Sequence, residues 1–215
     1  MAEPRIAMLG GTFDPVHIGH LRSAIELREQ LMLDCVHMVV NRQPPHRQSP
    51  GVDGADRLHL LEAAVKELPG IEADSRELMR EGPSYSVDTL RSLRAQYSSD
   101  ACMMMVIGAD AAASLNQWHE PLQLFDYAHI VIIARPGEPC ELPDSVKALL
   151  HGKKATSPEA LFETPCGQYL LLSLPTPVSL SATTIRERLR HGMSVRYLVP
   201  DAVEKKIQAR QLYAK

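Results

Sequence analysis

Apolar residues in this chain alternate between short unbroken runs and stripes at helical spacing. Residues 5–9, 35–40, 71–74, 102–107, 129–134 and 169–174 read as strands. The runs CVHMVV, CMMMVI and HIVIIA are almost continuously apolar, as strands covered on both faces are. Between them, apolar positions 18, 21, 24, 25, 27, 31 and 32 predict a helix over 18–32. Leu58, Leu61, Ala64, Val65 and Leu68 predict one over 55–68. A third helix, capped by Ser86, runs to about 97, and a fourth over 115–125 is interrupted at Pro121. A short one falls near 146–150. Another over 181–191 is stopped by Gly192, and Pro200 takes the first position of a closing helix to 212. The Pro-rich stretch 41–52 is a loop, and 138–168 reads as an insertion before the last strand.

Strands that alternate with helices predict an α/β fold, a doubly wound parallel sheet with helices on both faces. No linker or repeat divides the chain. One domain over 1–215 is expected, with a helical subregion from about 181 to the end.

Composition narrows the partners. The chain has 215 residues, 45% hydrophobic and 23% charged, which excludes a disordered or collagen-like polymer. Lys plus Arg is 23 against 26 for Asp plus Glu, a net charge of −3, so a nucleic-acid backbone is not an expected partner. The beginning MAEPRIAMLGG has no signal-peptide core, and 101–109 is far shorter than the ~20 residues of a membrane helix. Cys35, Cys102, Cys140 and Cys166 are widely spaced and form no CxxC pattern. The expectation is a cytoplasmic protein with reduced thiols and no membrane partner. The composition is equally compatible with a monomer and a homo-oligomer.

Candidate chemistry begins where the first strand ends, since ligands of open α/β sheets bind at the carboxyl ends of strands. The turn there is Gly10-Gly11-Thr12-Phe13-Asp14-Pro15-Val16-His17-Ile18-Gly19-His20. The glycines admit a ligand close to the backbone, and the amides of a helix starting near Ile18 favour an anion. His17 and His20, three apart, share one side of a helical turn and suit phosphate oxygens. Zinc on this HxxH pair wants three or four protein ligands, and no partner is apparent, so no protein-held metal is expected. A second candidate cradle is Leu180-Ser181-Ala182-Thr183-Thr184-Ile185-Arg186: a cap, hydroxyls and a guanidinium at a helix start. Taken alone, it reads equally as an ordinary capped helix. Asp110, after a buried strand, reads as a helix cap or as a cleft carboxylate. Trp118 reads as core or as a stacking surface.

GGTFDPVHIGH resembles the signature of the nucleotidyltransferase superfamily, which includes the class I aminoacyl-tRNA synthetases. LSATTIR resembles the adenylyltransferase signature Ile-Ser-x-Thr-x-Ile-Arg, with Leu180 for Ile; the synthetase string Lys-Met-Ser-Lys-Ser is absent. Asn41-Arg42-Gln43-Pro44-Pro45-His46-Arg47, the Pro83–Leu90 segment, Gly108-Ala109-Asp110 before Trp118, and Arg135-Pro136-Gly137 resemble bacterial nicotinate-nucleotide adenylyltransferases. That likeness extends from about Ile6 to Val199. It implies a Rossmann-like nucleotidyltransferase that adenylylates nicotinate mononucleotide with ATP, Mg²⁺ being held mainly by phosphates.

By the same resemblance, His17, His20 and Arg186 are catalytic. Gly10, Gly11, Thr12, Phe13, Gly19, Gly108, Asp110, Ser181 and Thr183 bind ATP. Asn41, His46, Tyr85, Ser86, Trp118 and Arg135 bind the nicotinate nucleotide. Ser86 stands where the family has Thr, and a Pro common before Asn41 is missing. The alternatives are a sibling enzyme acting on nicotinamide mononucleotide or phosphopantetheine, a synthetase-type ligase, and an adenine-nucleotide sensor without turnover.

Overall fold

The structure is a computed structural model, and it describes residues 3–42, 51–134, 141–176 and 178–214. Six strands form one sheet: β1 (Arg5–Gly11), β2 (Cys35–Val40), β3 (Ile71–Asp74), β4 (Cys102–Gly108), β5 (His129–Ala134) and β6 (Tyr169–Ser173). Their order is β3-β2-β1-β4-β5-β6, and every pair is parallel. The doubly wound expectation holds. The order reverses direction between β1 and β4, which opens a crevice above their carboxyl ends.

The helices are α1 (Ile18–Gln30), α2 (Gly54–Val65), α3 (Ser86–Gln96), α4 (Ala109–Ala112), α5 (Leu124–Tyr127), α6 (Asp144–Leu150), α7 (Ala182–Arg190) and α8 (Asp201–Ala209). Side chains alternate across the pleat, so the sheet feeds two cores. Val36, Met38, Met104 and Val106 pack with Leu27 of α1, Leu61 of α2, Ile185 of α7 and Ile207 of α8. Val39, Met103, Met105 and Ile132 pack on the other face with Leu90 of α3, Phe125 of α5 and Val146 of α6. Among the described residues no helix is long and apolar enough to cross a membrane.

Several boundaries depart from the sequence expectation for physical reasons. β1 continues through both glycines because Gly10 and Gly11 pair with Val39 and Val40. Met32 leaves the α1 stripe: it follows the helix end in a left-handed conformation and is 57% exposed. The buried side of α2 is Arg57, Leu60, Leu61 and Val65, a rotation of the predicted stripe that carries an arginine inward. Tyr85, not Ser86, is the last extended residue before α3, so Ser86 lies inside the helix. Pro200 likewise precedes α8. The 115–125 helix is broken into a 3-10 turn, Leu115–Gln117, and the short α5. The 138–168 segment is not an insertion. Parallel neighbours need a long crossover, and its described part carries α6 and a 3-10 turn from β5 to β6.

Leu90 is fully buried between α3 and the sheet. Leu90→Ala is expected to lower unfolding stability by about 2–5 kcal/mol, read from urea denaturation.

Candidate active site

The turn after β1 is shaped by rings pressed against glycines. Phe13 takes φ 48° and is buried, and a Cβ on Gly11 would lie 2.8 Å from its ring. A Cβ on Gly19 would lie 3.1 Å from the His17 ring. A side chain at Gly11 would displace the Phe13 ring, and one at Gly19 would push the His17 ring by a few tenths of an ångström. Gly10 makes only ordinary contacts, one of them with the Asn41 side chain. Asn41 is held at the turn by its N–H, which donates to the Gly11 carbonyl at 3.0 Å.

His17 is the extended residue before α1, and His20 sits in the first helical turn. Their rings stack at 3.6 Å between centroids, and His20 meets Phe13 edge-on at 5.1 Å. The His17 backbone N–H donates to His20 Nδ1 at 3.3 Å. That bond puts the proton of neutral His20 on Nε2, making Nε2 a donor. His17 is 4% exposed, and its Nδ1 has no hydrogen-bond partner among the described residues. Burial pushes its pKa down to about 4, so its imidazole is neutral at pH 7. The helix start has one amide fewer to offer than the sequence suggested, because Ile18 N–H already donates to the Leu198 carbonyl at 3.0 Å.

The second motif reaches the same turn. From β6 the chain crosses back over α1, where Thr176 N–H donates to the buried Glu26 carboxylate at 3.1 Å. Ser181 caps α7 by accepting from Thr184 N–H at 3.1 Å. Its hydroxyl therefore closes the helix end. Arg186 donates through Nη1 to the Asp14 carbonyl at 2.7 Å and through Nη2 to Thr183 Oγ1 at 3.2 Å. The guanidinium thus stands three residues from His17 along the turn. The Asp14 carboxylate, 5% exposed, accepts from Tyr213 Oη at 2.9 Å and Gly51 N–H at 2.7 Å, with Arg186 Nη1 3.6 Å away. Below it, the buried Arg57 donates to the Thr12 carbonyl at 2.7 Å.

A second cluster gathers around the ends of β2, β3 and β4. Gly108 is the extended residue before α4; a Cβ there would meet nothing within 4 Å, so protein packing does not demand glycine. Asp110 lies exposed in the first turn of α4, which starts earlier than the segment at Ala111 that Asp110 was expected to cap. Trp118 is half-buried against the second core and donates Nε1–H to Ser114 Oγ at 3.4 Å. Next to it, His119 stacks on Tyr85 at 4.2 Å, which joins the start of α3 to this segment. Arg42 N–H donates to Ser84 Oγ at 3.0 Å, bringing the loop after β2 to the same place. His46 and Arg135 lie outside the described residues. Sequence reasoning missed Arg57, Tyr213, His119 and the role of Asp14. For Arg57 the signal was its place three and four residues before Leu60 and Leu61 on α2.

A parallel sheet in this order, with a paired-histidine glycine turn at its switch point and an arginine-bearing helix start against it, defines a nucleotidyltransferase. The cytidylyltransferase-like family matches residues 8–188. A protein of Chromohalobacter salexigens named "Probable nicotinate-nucleotide adenylyltransferase" is 54% identical over 98% of this chain and 96% of its own. One of the same name from Pseudomonas aeruginosa is 46% identical over 97% of each. The chain belongs to the nicotinate-nucleotide adenylyltransferase family. The nicotinic acid mononucleotide adenylyltransferase of Plasmodium falciparum, solved in complex with NaAD, shares the fold at a TM-score of 0.72 with 15% identity, covering 98% of each chain.

The His17 value makes a pH prediction. The unfolded imidazole binds its proton near pH 6.5 and the folded one only near 4, so falling pH favours the unfolded chain across that window. The contribution is up to about 1.4 kcal/mol per pH unit. Urea unfolding between pH 7 and 4 is expected to show this extra slope in the wild type and to lack it in His17→Gln.

Proposed function

We propose that the protein transfers the adenylyl group of ATP to nicotinate mononucleotide, giving deamido-NAD and pyrophosphate, a step of NAD synthesis. The observation that carries the reading is Arg186 seated on the Asp14 carbonyl, so that both phosphate motifs border one turn. The acceptor's 5′-phosphate, with a second pKa of ~6, is already largely dianionic at neutral pH. One of its oxygens bonds to the α-phosphorus in line as the bond to pyrophosphate breaks, and no proton need be removed. Catalysis is then positioning and charge stabilisation.

In this reading His20 Nε2–H, the neutral His17 imidazole and Arg186 bind phosphate oxygens, joined by the turn from Gly10 to Phe13. Gly19 keeps the His17 ring in place. Gly108 and Asp110 receive the ATP ribose, with Thr183 and the Ser181-capped helix start beside the phosphates. Asn41, Tyr85, Ser86 and Trp118 receive the nicotinate nucleotide, Trp118 by stacking on the cationic ring. His46 and Arg135 are assigned to that nucleotide by resemblance alone.

Mg²⁺ is proposed to enter with ATP. The Asp14 carboxylate is already engaged by Tyr213, Gly51 and Arg186, which fits an ion held by phosphates and water. Bound there, it would neutralise charge on the departing pyrophosphate. The reading takes 1–215 as one cytoplasmic domain.

His20→Ala is expected to lower kcat by about 10²–10³-fold with little change in KM, since it removes a donor to developing charge. Pyrophosphate release across a panel of acceptor nucleotides checks both this and the substrate. Trp118→Ala is expected to raise KM for nicotinate mononucleotide on the order of 10-fold and to leave KM for ATP unchanged.

A further inference from the structure

At the opposite end of the sheet from the glycine turn, three donor types meet. Cys35 and His37 are two residues apart on β2, so they share one face. Parallel register places His37 beside Glu72 of β3. The cysteine sulfur, a His37 ring nitrogen and a Glu72 carboxylate oxygen all lie within 4.8 Å of one another. Thiolate, imidazole and carboxylate are the ligands zinc takes in proteins.

The orientation of His37 is a second, independent observation. Its Nδ1 is 3.1 Å from Asp74 Oδ2, and Arg76 holds that same oxygen at 2.7 Å. Its Nε2 hydrogen-bonds the Tyr97 hydroxyl at 2.7 Å, a bond that coordination replaces. A histidine tied through one nitrogen to a carboxylate, with the other turned toward a donor cluster, is arranged as metal-ligating histidines are.

We propose that Cys35 Sγ, His37 Nε2 and a Glu72 carboxylate oxygen form a zinc site, the fourth position being taken by the Tyr97 hydroxyl or by water. Tyr97 follows the last turn of α3, so the ion clamps the end of that helix to β2 and β3. A cysteine binds zinc as the thiolate, so Cys35 has to lose its proton on coordination. Coordination exchanges that proton for the metal and releases it to water. The site lies apart from the phosphate turn and does not depend on the proposed reaction.

The test uses the full-length protein, freed of metal by chelator dialysis, with no nucleotide present. Zn²⁺ is titrated in competition with a chromogenic chelator, and Co²⁺ serves as the spectroscopic probe. One ion per chain is expected, with a thiolate-to-cobalt charge-transfer band in the near ultraviolet. Cys35→Ser should abolish the band and the rise in melting temperature that Zn²⁺ gives the wild type. Glu72→Gln, at an exposed position, should weaken binding by about 10-fold. Wild-type protein that binds no stoichiometric ion, or binds without the thiolate band, overturns the proposal. So does a band that survives Cys35→Ser. Should Cys35→Ser fail to fold, unchanged affinity in Glu72→Gln overturns it.

Discussion

Asp14 is a buried carboxylate that has to be paired, and meeting that requirement assembles the site. An unpaired charge at this depth would cost several kcal/mol. Its oxygens take hydrogen bonds from Gly51 and Tyr213, which lie 37 and 199 residues further along the chain. Arg186, 172 residues away, takes the carbonyl of the same residue. The glycine turn, the loop end before α2, the start of α7 and the terminal tail are therefore one unit. Arg57 supports it from beneath by holding Thr12.

This unit sets the electrostatics of the crevice. The chain as a whole carries −3, yet the turn gathers Arg186 and Arg57 within its hydrogen-bonding network. The histidines add donors without adding fixed charge, because burial keeps His17 neutral and the His17 amide orients His20. Groups already held in place need no reorganisation when charge develops on a ligand, and this is where such sites derive most of their effect.

Local patterns carried much of the fold and part of the site. Unbroken apolar runs located β2, β4 and β5 most sharply, because a strand covered on both faces has no polar side to disguise it, whereas the edge strand β3, with Glu72 exposed, left only a weak trace. The motif strings located His17, His20 and Arg186. The patterns misled where tertiary contacts override local preference. α2 turned Arg57 inward because the Thr12 carbonyl needed a donor. Ser86 lost the cap to Tyr85, and the 115–125 stretch broke into short turns on its way from β4 to β5. The donor cluster at Cys35 left no trace in cysteine spacing, since strand register rather than chain distance brings Glu72 to His37.

Composition, periodicity and two motifs determined that this is a doubly wound α/β protein and marked the turn after β1 and the start of α7 as its candidate phosphate cradles. Those features are local: each depends on residues within one element or one turn. Which residues share a site was decided by tertiary structure alone. Asp14 and Tyr213 meet only because the sheet order places β1 at the centre and the packing of α8 on α2 returns the terminus beside it.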